Sequence, residues 1–183
     1  MTIFMFTFLL FPAYNAHKAF EKKEYEKAKD ILQTVQVEKP NDPLLNYNLG
    51  VIDYKKKNFD AAKQNFSRAA TSAFSSNDKE LLEKAYFNLG NSFYQNARKI
   101  LVEDWEKSPP DGPAPDEAVR NQAISETKSA IKKYDKILEI KQNQKQAQTN
   151  KKASEAFLQK LIKQQQEEKK KENKKDKKDK KDK

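Results

Sequence analysis

The apolar and polar residues of this chain alternate in the manner of amphipathic helices. From Ala13 onward, apolar side chains recur every three or four positions, which places them on one face of an α-helix. Polar clusters interrupt the pattern, and Asn77 or Asp78 is expected to cap the helix that follows the break at 75–78. The pattern predicts an all-α fold with helices near 13–22, 25–37, 43–56 and 59–73, a longer pair within 77–142, and a last helix at about 144–168.

The tripeptide Asn-Leu-Gly occurs twice, at 48–50 and at 88–90. Aromatic residues and alanines follow each copy in a similar order, and a weaker copy precedes the first. The matching residues are Phe59, Ala62, Phe66 and Ala69 after the first tripeptide, Tyr94, Ala130, Tyr134 and Ile137 after the second, and Ala16, Tyr25, Ala28, Leu32, Val35 and Pro40 in the weaker copy. A glycine inside a helix costs about 1 kcal/mol relative to alanine. We therefore expect Gly50 and Ala62 to lie where two helices approach closely.

The third helix pair is expected to be longer than the others. Gly90 and Ala130 are 40 positions apart, whereas Gly50 and Ala62 are 12 apart, so 28 residues are inserted. The helical spacing continues on both sides of a proline-rich segment at 108–115. Both helices should thus be longer by about three turns, roughly 15 Å. We predict an antiparallel hairpin that projects beyond the other pairs.

The two ends of the chain differ in composition from the rest. Residues 1–12 are uncharged and mostly apolar but too few to span a bilayer, which needs about 20 residues. We interpret them as the remnant of an export signal or anchor, the alternative being a leader that packs on the first helix pair. Residues 169–183 are a lysine-rich run with nothing apolar to bury, and we predict that they are disordered.

Taken together, the repeated motif resembles the tetratricopeptide repeat, a helix-turn-helix unit of 34 residues. The resemblance implies an α-solenoid of about three helix pairs with a polar-backed capping helix. Its repeats would span about 13–42, 43–76 and 77–142, with the capping helix at 143–168, so that one domain covers 13–168.

The order of motifs also resembles that of the repeat proteins of the bacterial aerotolerance operon group. This chain has Tyr47 to Gly50, Phe87 to Asn91, Ala147 to Asn150 and Gln164 to Gln166 in that order, after an apolar N-terminal segment. The resemblance implies a location at the cell envelope and a von Willebrand-type membrane protein as partner, with a cytoplasmic location as the alternative. The longer third repeat departs from the pattern of that group.

No set of residues in the chain indicates catalysis. There is no cysteine, and the single histidine, His17, has no nucleophile or metal-ligand pattern beside it. The three glycines are widely separated, so they form no phosphate-binding loop. We therefore expect a protein that is not an enzyme and that uses neither a cofactor nor a metal.

In the tetratricopeptide family the first helices of successive repeats line a concave groove. By resemblance, the groove residues of this chain are Tyr47, Asn48, Val51, Tyr54, Lys84, Phe87, Asn88, Asn91, Tyr94 and Asn150. Asn48, Asn88 and Asn150 are equivalent positions, and a column of such amides can both donate to and accept from the backbone of an extended peptide.

A subclass of these domains clamps the C-terminal carboxylate of chaperones, and this chain matches its pattern in part. Asn48 and Lys84 agree with the clamp, whereas Ala13, His17 and Asn88 replace its Lys, Asn and Arg. The carboxylate-clamp interpretation is therefore disfavoured.

These features predict an adaptor that binds a protein or peptide partner. An alternative is attachment to an anionic membrane or a nucleic acid through the tail, because 11 lysines and 6 acids in 163–183 carry about half of the net charge of +10. The tail has no aromatic residue to stack on bases, which disfavours nucleic acid. A third possibility is a homo-oligomer through the long hairpin, on which Trp105 and Val119 would be partly exposed.

Overall fold

The computed structural model describes the backbone of residues 3–107 and 116–179, and the side chains of residues 12–103 and 116–170. Within these residues the fold is all-α, with no strand. The seven helices are α1 (Ile3–Glu21), α2 (Tyr25–Glu38), α3 (Pro43–Lys55), α4 (Phe59–Ser75), α5 (Lys79–Lys107), α6 (Glu117–Ile140) and α7 (Lys145–Asp179). The all-α class and the bounds of α2, α3 and α4 agree with the sequence prediction to within two residues.

Short polar residues begin several of these helices. Asp42 accepts a hydrogen bond of 2.8 Å from the backbone N–H of Leu45, and Pro43 occupies the first turn of α3. At the break before α5 the cap is Asp78, which accepts from the N–H of Leu81 at 3.0 Å. Asn77 instead takes a left-handed backbone conformation with φ of 57°. Of the two residues proposed from the sequence, the cap is therefore Asp78.

Three of the turns between helices, those before α2, α4 and α5, reverse the chain in the same way. Lys23, Lys57 and Asn77 each have a positive φ and lie two residues before the next helix. In each turn the following N–H bonds to a carbonyl five residues back, as in Glu24 to Ala19 at 2.9 Å and Asn58 to Asp53 at 2.9 Å. This is the Schellman arrangement, which satisfies the last carbonyls of a helix. It folds each helix back onto its neighbour.

Helices that follow one another in sequence pack together, and α3 also contacts α5 while α5 contacts α7. Contacts within the pairs show that consecutive helices are antiparallel. In the α3/α4 pair a Cβ on Gly50 would lie 2.7 Å from the ring of Phe66, and in the α5/α6 pair a Cβ on Gly90 would lie 2.8 Å from the ring of Tyr134. The predicted close approach is present, but each glycine faces an aromatic ring of the second helix.

A buried acid links the first two pairs. Asp53 of α3 is fully buried and accepts hydrogen bonds from Lys29 of α2 at 2.6 Å and from Asn65 of α4 at 2.8 Å. Its two carboxylate oxygens thereby join three helices.

The third pair is longer than the others, as predicted. Helices α5 and α6 have 29 and 24 residues, compared with 13 and 17 in α3 and α4. The pair does not project alone, however, because α7 runs antiparallel to α6 along the hairpin. Leu161 of α7 packs with Ala97, Ala123 and Ile124. The apolar face of α7 thus covers part of the hairpin, a contact that the sequence analysis did not predict.

Further along the hairpin, two ion pairs continue the contact between α6 and α7. Arg120 pairs with Glu168, and Lys169 pairs with Glu117 at 3.1 Å. Trp105 and Val119 were predicted to be partly exposed on the hairpin. Val119, whose side chain the structure describes, is partly buried. The side chain of Trp105, the proline-rich segment at 108–115 and residues 180–183 lie outside the described residues.

Both terminal helices extend past their predicted bounds. Helix α1 begins at Ile3 instead of near residue 13, and α7 continues to Asp179, although we predicted disorder from Lys169. Lysine and glutamate are good helix formers, and ion pairs such as Lys163 to Glu167 lie one turn apart on α7. In the part of the chain that the structure describes, no helix combines the length and the apolar character that crossing a bilayer requires.

Candidate functional site

The ten groove residues lie on α3, α5 and α7, three helices that pack side by side. Asn48 and Lys84 are exposed, and the other eight are partly buried. The structure thus brings the predicted residues onto one row of helices, but their side chains belong to separate local clusters.

The first cluster joins α3 to α5 through Tyr47 and Asn88. The amide of Asn88 donates a hydrogen bond of 2.8 Å to the hydroxyl of Tyr47, whose ring packs on Phe66 at 5.6 Å between centroids. Burial raises the pKa of Tyr47, while the Asn88 hydrogen bond and the charge of Lys84 act in the opposite direction. Tyr47 is therefore a neutral phenol at physiological pH. The amide of Asn88 already donates one hydrogen bond within the fold.

The second cluster joins α5, α6 and α7 at Asn91. Its side-chain oxygen accepts hydrogen bonds from the hydroxyl of Tyr134 at 2.8 Å and from the amide of Asn150 at 2.9 Å. Burial raises the pKa of Tyr134 well above its ordinary value, and the neighbouring amide of Asn150 opposes that effect. Asn150 is thereby tied to Asn91 and does not present a fully open amide.

The aromatic groove residues also serve the packing between helices. Tyr54 meets Phe59 edge-on at 5.4 Å, and burial raises its pKa while a hydrogen bond with Gln95 opposes the shift. Tyr94 meets Phe157 of α7 at 5.6 Å, and Phe87 meets Tyr134 at 6.2 Å. Their partly exposed rings remain a surface that a partner could contact.

A cleft of about 210 Å³ lies between α1 and α3, and we call it the α1–α3 cleft. Two groove residues, Asn48 and Val51, form one side of it. The remaining lining is supplied by Ala13, Ala16, His17, Phe20, Leu32 and Ile52. Sequence reasoning treated Ala13 only as a mismatch to the carboxylate clamp, and it treated His17 both as such a mismatch and as a histidine without catalytic or metal-binding neighbours. The helical spacing of Ala13, Ala16 and Phe20 was the signal that could have placed them on one face.

Lys84 stands apart from this cleft. It forms an ion pair with Glu80 one turn earlier on α5, at 2.6 Å, and does not line the cleft. The hydrogen bond from Lys84 to Glu80 raises the pKa of the lysine. The two residues that match the carboxylate clamp, Asn48 and Lys84, therefore lie on different helices with different surroundings.

Among the described residues, no three histidine or acidic side chains converge as metal ligands. A comparison of the chain with protein-family models finds no match, and a comparison with curated proteins finds none either. The role of the site is therefore argued from its residues.

Proposed function

We propose that the chain is a non-enzymatic adaptor that binds a segment of a protein partner along α1, α3, α5 and α7. The observation that carries this proposal is the α1–α3 cleft, in which an exposed amide, that of Asn48, borders an apolar lining. Sites that bind ligands are commonly concave and apolar with a few well-placed polar groups. This cleft has that composition.

The chemistry of the cleft suits an extended peptide. The amide of Asn48 has no hydrogen-bond partner among the described residues, so it can both donate to and accept from a peptide backbone. An apolar side chain of the peptide would enter between Phe20 and Val51. The side-chain amides of Asn88 and Asn150 have fewer hydrogen bonds to offer a partner, because each already donates one hydrogen bond within the fold.

Three recurrent details support a repeat of tetratricopeptide type. The turn between α1 and α2 and the turn between α3 and α4 each contain a residue with a left-handed backbone conformation. These residues, Lys23 and Lys57, are 34 positions apart. Each motif glycine meets an aromatic ring. On α5 and α7, Ser92 and Ser154 donate to the carbonyls of Asn88 and Asn150, both at 2.8 Å. These equivalences favour helix pairs built on one plan.

The order of motifs supports a more specific proposal about the partner. It resembles that of the aerotolerance operon group, so we propose that the partner is a von Willebrand-type membrane protein and that the adaptor works at the cell envelope. The repeated Tyr-Asn-Leu-Gly and Phe-Asn-Leu-Gly segments at 47–50 and 87–90 are the support for this step.

Selection of peptides from a random displayed library, followed by anisotropy with the purified full chain, tests the adaptor. We expect selected peptides to carry an apolar residue and to bind Asn48→Ala about tenfold more weakly, equivalent to 1.4 kcal/mol. Ala13→Phe, which places a ring in the cleft from an exposed position, should also abolish binding. Gln122→Ala, an exposed change on α6, is the matched control. Peptides that bind Asn48→Ala and Ala13→Phe as they bind the wild type would refute the proposal.

The charge of the tail supports a second candidate function, attachment to an anionic membrane. Residues 163–183 carry 11 lysines and 6 acids, and each lysine near an anionic surface contributes about 1 kcal/mol. Because Glu168 and Lys169 contact α6, a truncation that tests the tail alone ends at Lys170. Binding to vesicles of anionic lipid that weakens with salt and is lost on this truncation would favour the tail. Binding to selected peptides that survives it favours the adaptor.

A further inference from the structure

A second cleft lies between α4 and α6 and shares no lining residue with the α1–α3 cleft. It has a volume of about 480 Å³, and we call it the α4–α6 cleft. Lys63, Arg68 and Lys133 line it together with the hydroxyl residues Ser67 and Thr71, while Phe93 of α5 contributes to its apolar floor. None of its lining residues is acidic, and none is a groove residue. The cleft is therefore cationic and separate from the α1–α3 cleft.

One of the three cations is already neutralised. Lys63 lies between Asp60 at 2.8 Å and Glu126 at 2.7 Å, with its ammonium 5.1 Å from the centre of the Phe93 ring. These contacts join α4 to α6 and hold this end of the cleft. Lys63 thus has a structural role that needs no ligand.

Lys133 has no such acidic partner. Its ammonium lies 5.7 Å from the centre of the Tyr86 ring, and no carboxylate among the described side chains pairs with it. Burial lowers the pKa of Lys133, and the charges of Lys132 and Lys136 lower it further. A partly desolvated cation without an anion is unfavourable in the free protein. An incoming anion would relieve that cost.

Arg68 is the third cation, and it lies on α4 in the same cleft. It is exposed, and no carboxylate among the described residues forms an ion pair with it. A guanidinium can hold a carboxylate through two parallel hydrogen bonds. Ser67 and Thr71 add hydroxyl donors on the same wall. Helices α4 and α6 thus each contribute one cation without an ion-pair partner among the described residues, Arg68 and Lys133, to the lining of the α4–α6 cleft.

We propose that the α4–α6 cleft binds an acidic peptide segment of a protein partner. Carboxylates of the segment bind Lys133 and Arg68, and an apolar side chain beside them lies on Phe93. The apolar floor favours a peptide over a small inorganic ion, which would gain nothing from that contact. This surface is distinct from the groove, so it gives the adaptor a second point of attachment.

The test uses the full chain and a labelled pentapeptide in which one phenylalanine is flanked by two glutamates on each side. Its partner probe carries glutamine in place of every glutamate. We expect the acidic peptide to bind more tightly than the amide peptide by about tenfold or more, as for desolvated charge pairs. Lys133→Gln and Arg68→Gln should each weaken its binding by about fivefold or more. Both variants remove the charge and keep a polar side chain.

Lys128→Gln is the matched control, because it removes the same charge from an exposed position on α6. It should leave binding within about twofold of wild type, as expected for a screened surface charge. Equal weakening by Lys128→Gln would show a general charge effect and overturn the proposal. Absence of a preference for the acidic peptide would also overturn it, as would binding of a phosphoserine peptide without binding of the glutamate peptide.

A stability measurement separates this role from a structural one. If Lys133 is kept for a ligand, Lys133→Gln should leave the melting temperature of the free protein unchanged or raise it. The acidic peptide should raise the melting temperature of the wild type but not of the variant, because a ligand stabilises only the state that binds it. A lower melting temperature for unliganded Lys133→Gln would show that the lysine supports the fold, and would overturn the proposal.

Discussion

The ring of Tyr134 lies directly on the backbone of Gly90, so close that a Cβ at this position would be 2.8 Å from the ring carbon Cε1. The same relationship holds in the preceding pair, where the ring of Phe66 lies on Gly50. Phe66 follows Gly50 by 16 residues and Tyr134 follows Gly90 by 44, a difference of 28. The inserted residues thus lengthen both helices without changing which residues meet at the crossing.

Gly90→Ala should destabilise the protein despite the better helix propensity of alanine. Propensity favours alanine by about 1 kcal/mol, but displacing a buried tyrosine ring costs about 1–3 kcal/mol. We expect a net loss of about 1 kcal/mol in the free energy of unfolding, measured by urea titration followed by circular dichroism.

A double-mutant cycle isolates the contact between the alanine and the ring. With Tyr134→Leu as the second change, the penalty of Gly90→Ala should shrink or reverse, because a leucine at this position lacks the ring edge. An equal penalty in both backgrounds would contradict a direct clash between the new methyl group and Tyr134.

Asp53→Ala should be more damaging, because Asp53 is fully buried and pairs with Lys29, whose side chain is 18% exposed. Removal of one partner of a buried ion pair leaves the other charge uncompensated and costs about 3–5 kcal/mol. Glu26→Ala is the matched control, since Glu26 also joins α2 to α3 through Lys56 but is 75% exposed.

The control should change the free energy of unfolding by less than about 1 kcal/mol, as exposed ion pairs do. Urea titration of the two variants measures the difference. Similar losses for Asp53→Ala and Glu26→Ala would contradict the burial argument.

Local signals were sufficient to predict the helix pairs. Pro43 and Asp42 mark the start of α3. Proline is tolerated in the first turn of a helix, and the side chain of Asp42 caps that turn. The two glycines indicated close helix crossings, and the structure has them. These predictions succeeded because each depends on residues near one another in sequence or on a motif repeated at a fixed spacing.

The use of the asparagines could not be predicted from the pattern. The hydrogen bond from Asn150 to Asn91 joins residues 59 positions apart, and an asparagine reads the same in sequence whether its amide is bonded or open. The path of α7 was missed for a similar reason. Its apolar residues fit a capping helix equally well, and only the packing of Leu161 against Ala97 and Ile124 shows that it covers the long hairpin.

Leu161→Ala tests whether α7 stabilises that hairpin. Leu161 is 3% exposed among Ala97, Ala123 and Ile124, so its truncation should cost about 2–4 kcal/mol through lost burial and a residual cavity. Hydrogen exchange should quicken at the amides of residues 97–103 as well as in α7. Lys160→Ala, an exposed change one residue earlier, is the control. A loss confined to α7 would contradict the proposed cover.

Tyr134→Phe gives a prediction about alkaline pH. Near neutral pH the variant loses the hydrogen bond to Asn91 and should be less stable by about 1 kcal/mol. The ordinary tyrosine pKa is 10.0, and burial raises the pKa of Tyr134 above it. As pH rises above 10, the unfolded tyrosine releases its proton while the buried one retains it. The wild type is therefore destabilised by up to about 1.4 kcal/mol per pH unit from this residue.

Phenylalanine cannot ionise, so the variant lacks this contribution and the two stability curves should converge between pH 10 and pH 11. Urea titrations at pH 8, 9, 10 and 11 measure the convergence. Tyr14→Phe changes a ring that is 62% exposed and should run parallel to the wild type throughout. Tyr47 and Tyr54 also have raised pKa values, so some alkaline loss should persist in the variant. A constant difference between wild type and Tyr134→Phe from pH 8 to pH 11 would show that the phenol of Tyr134 is not held neutral by its burial against Gly90.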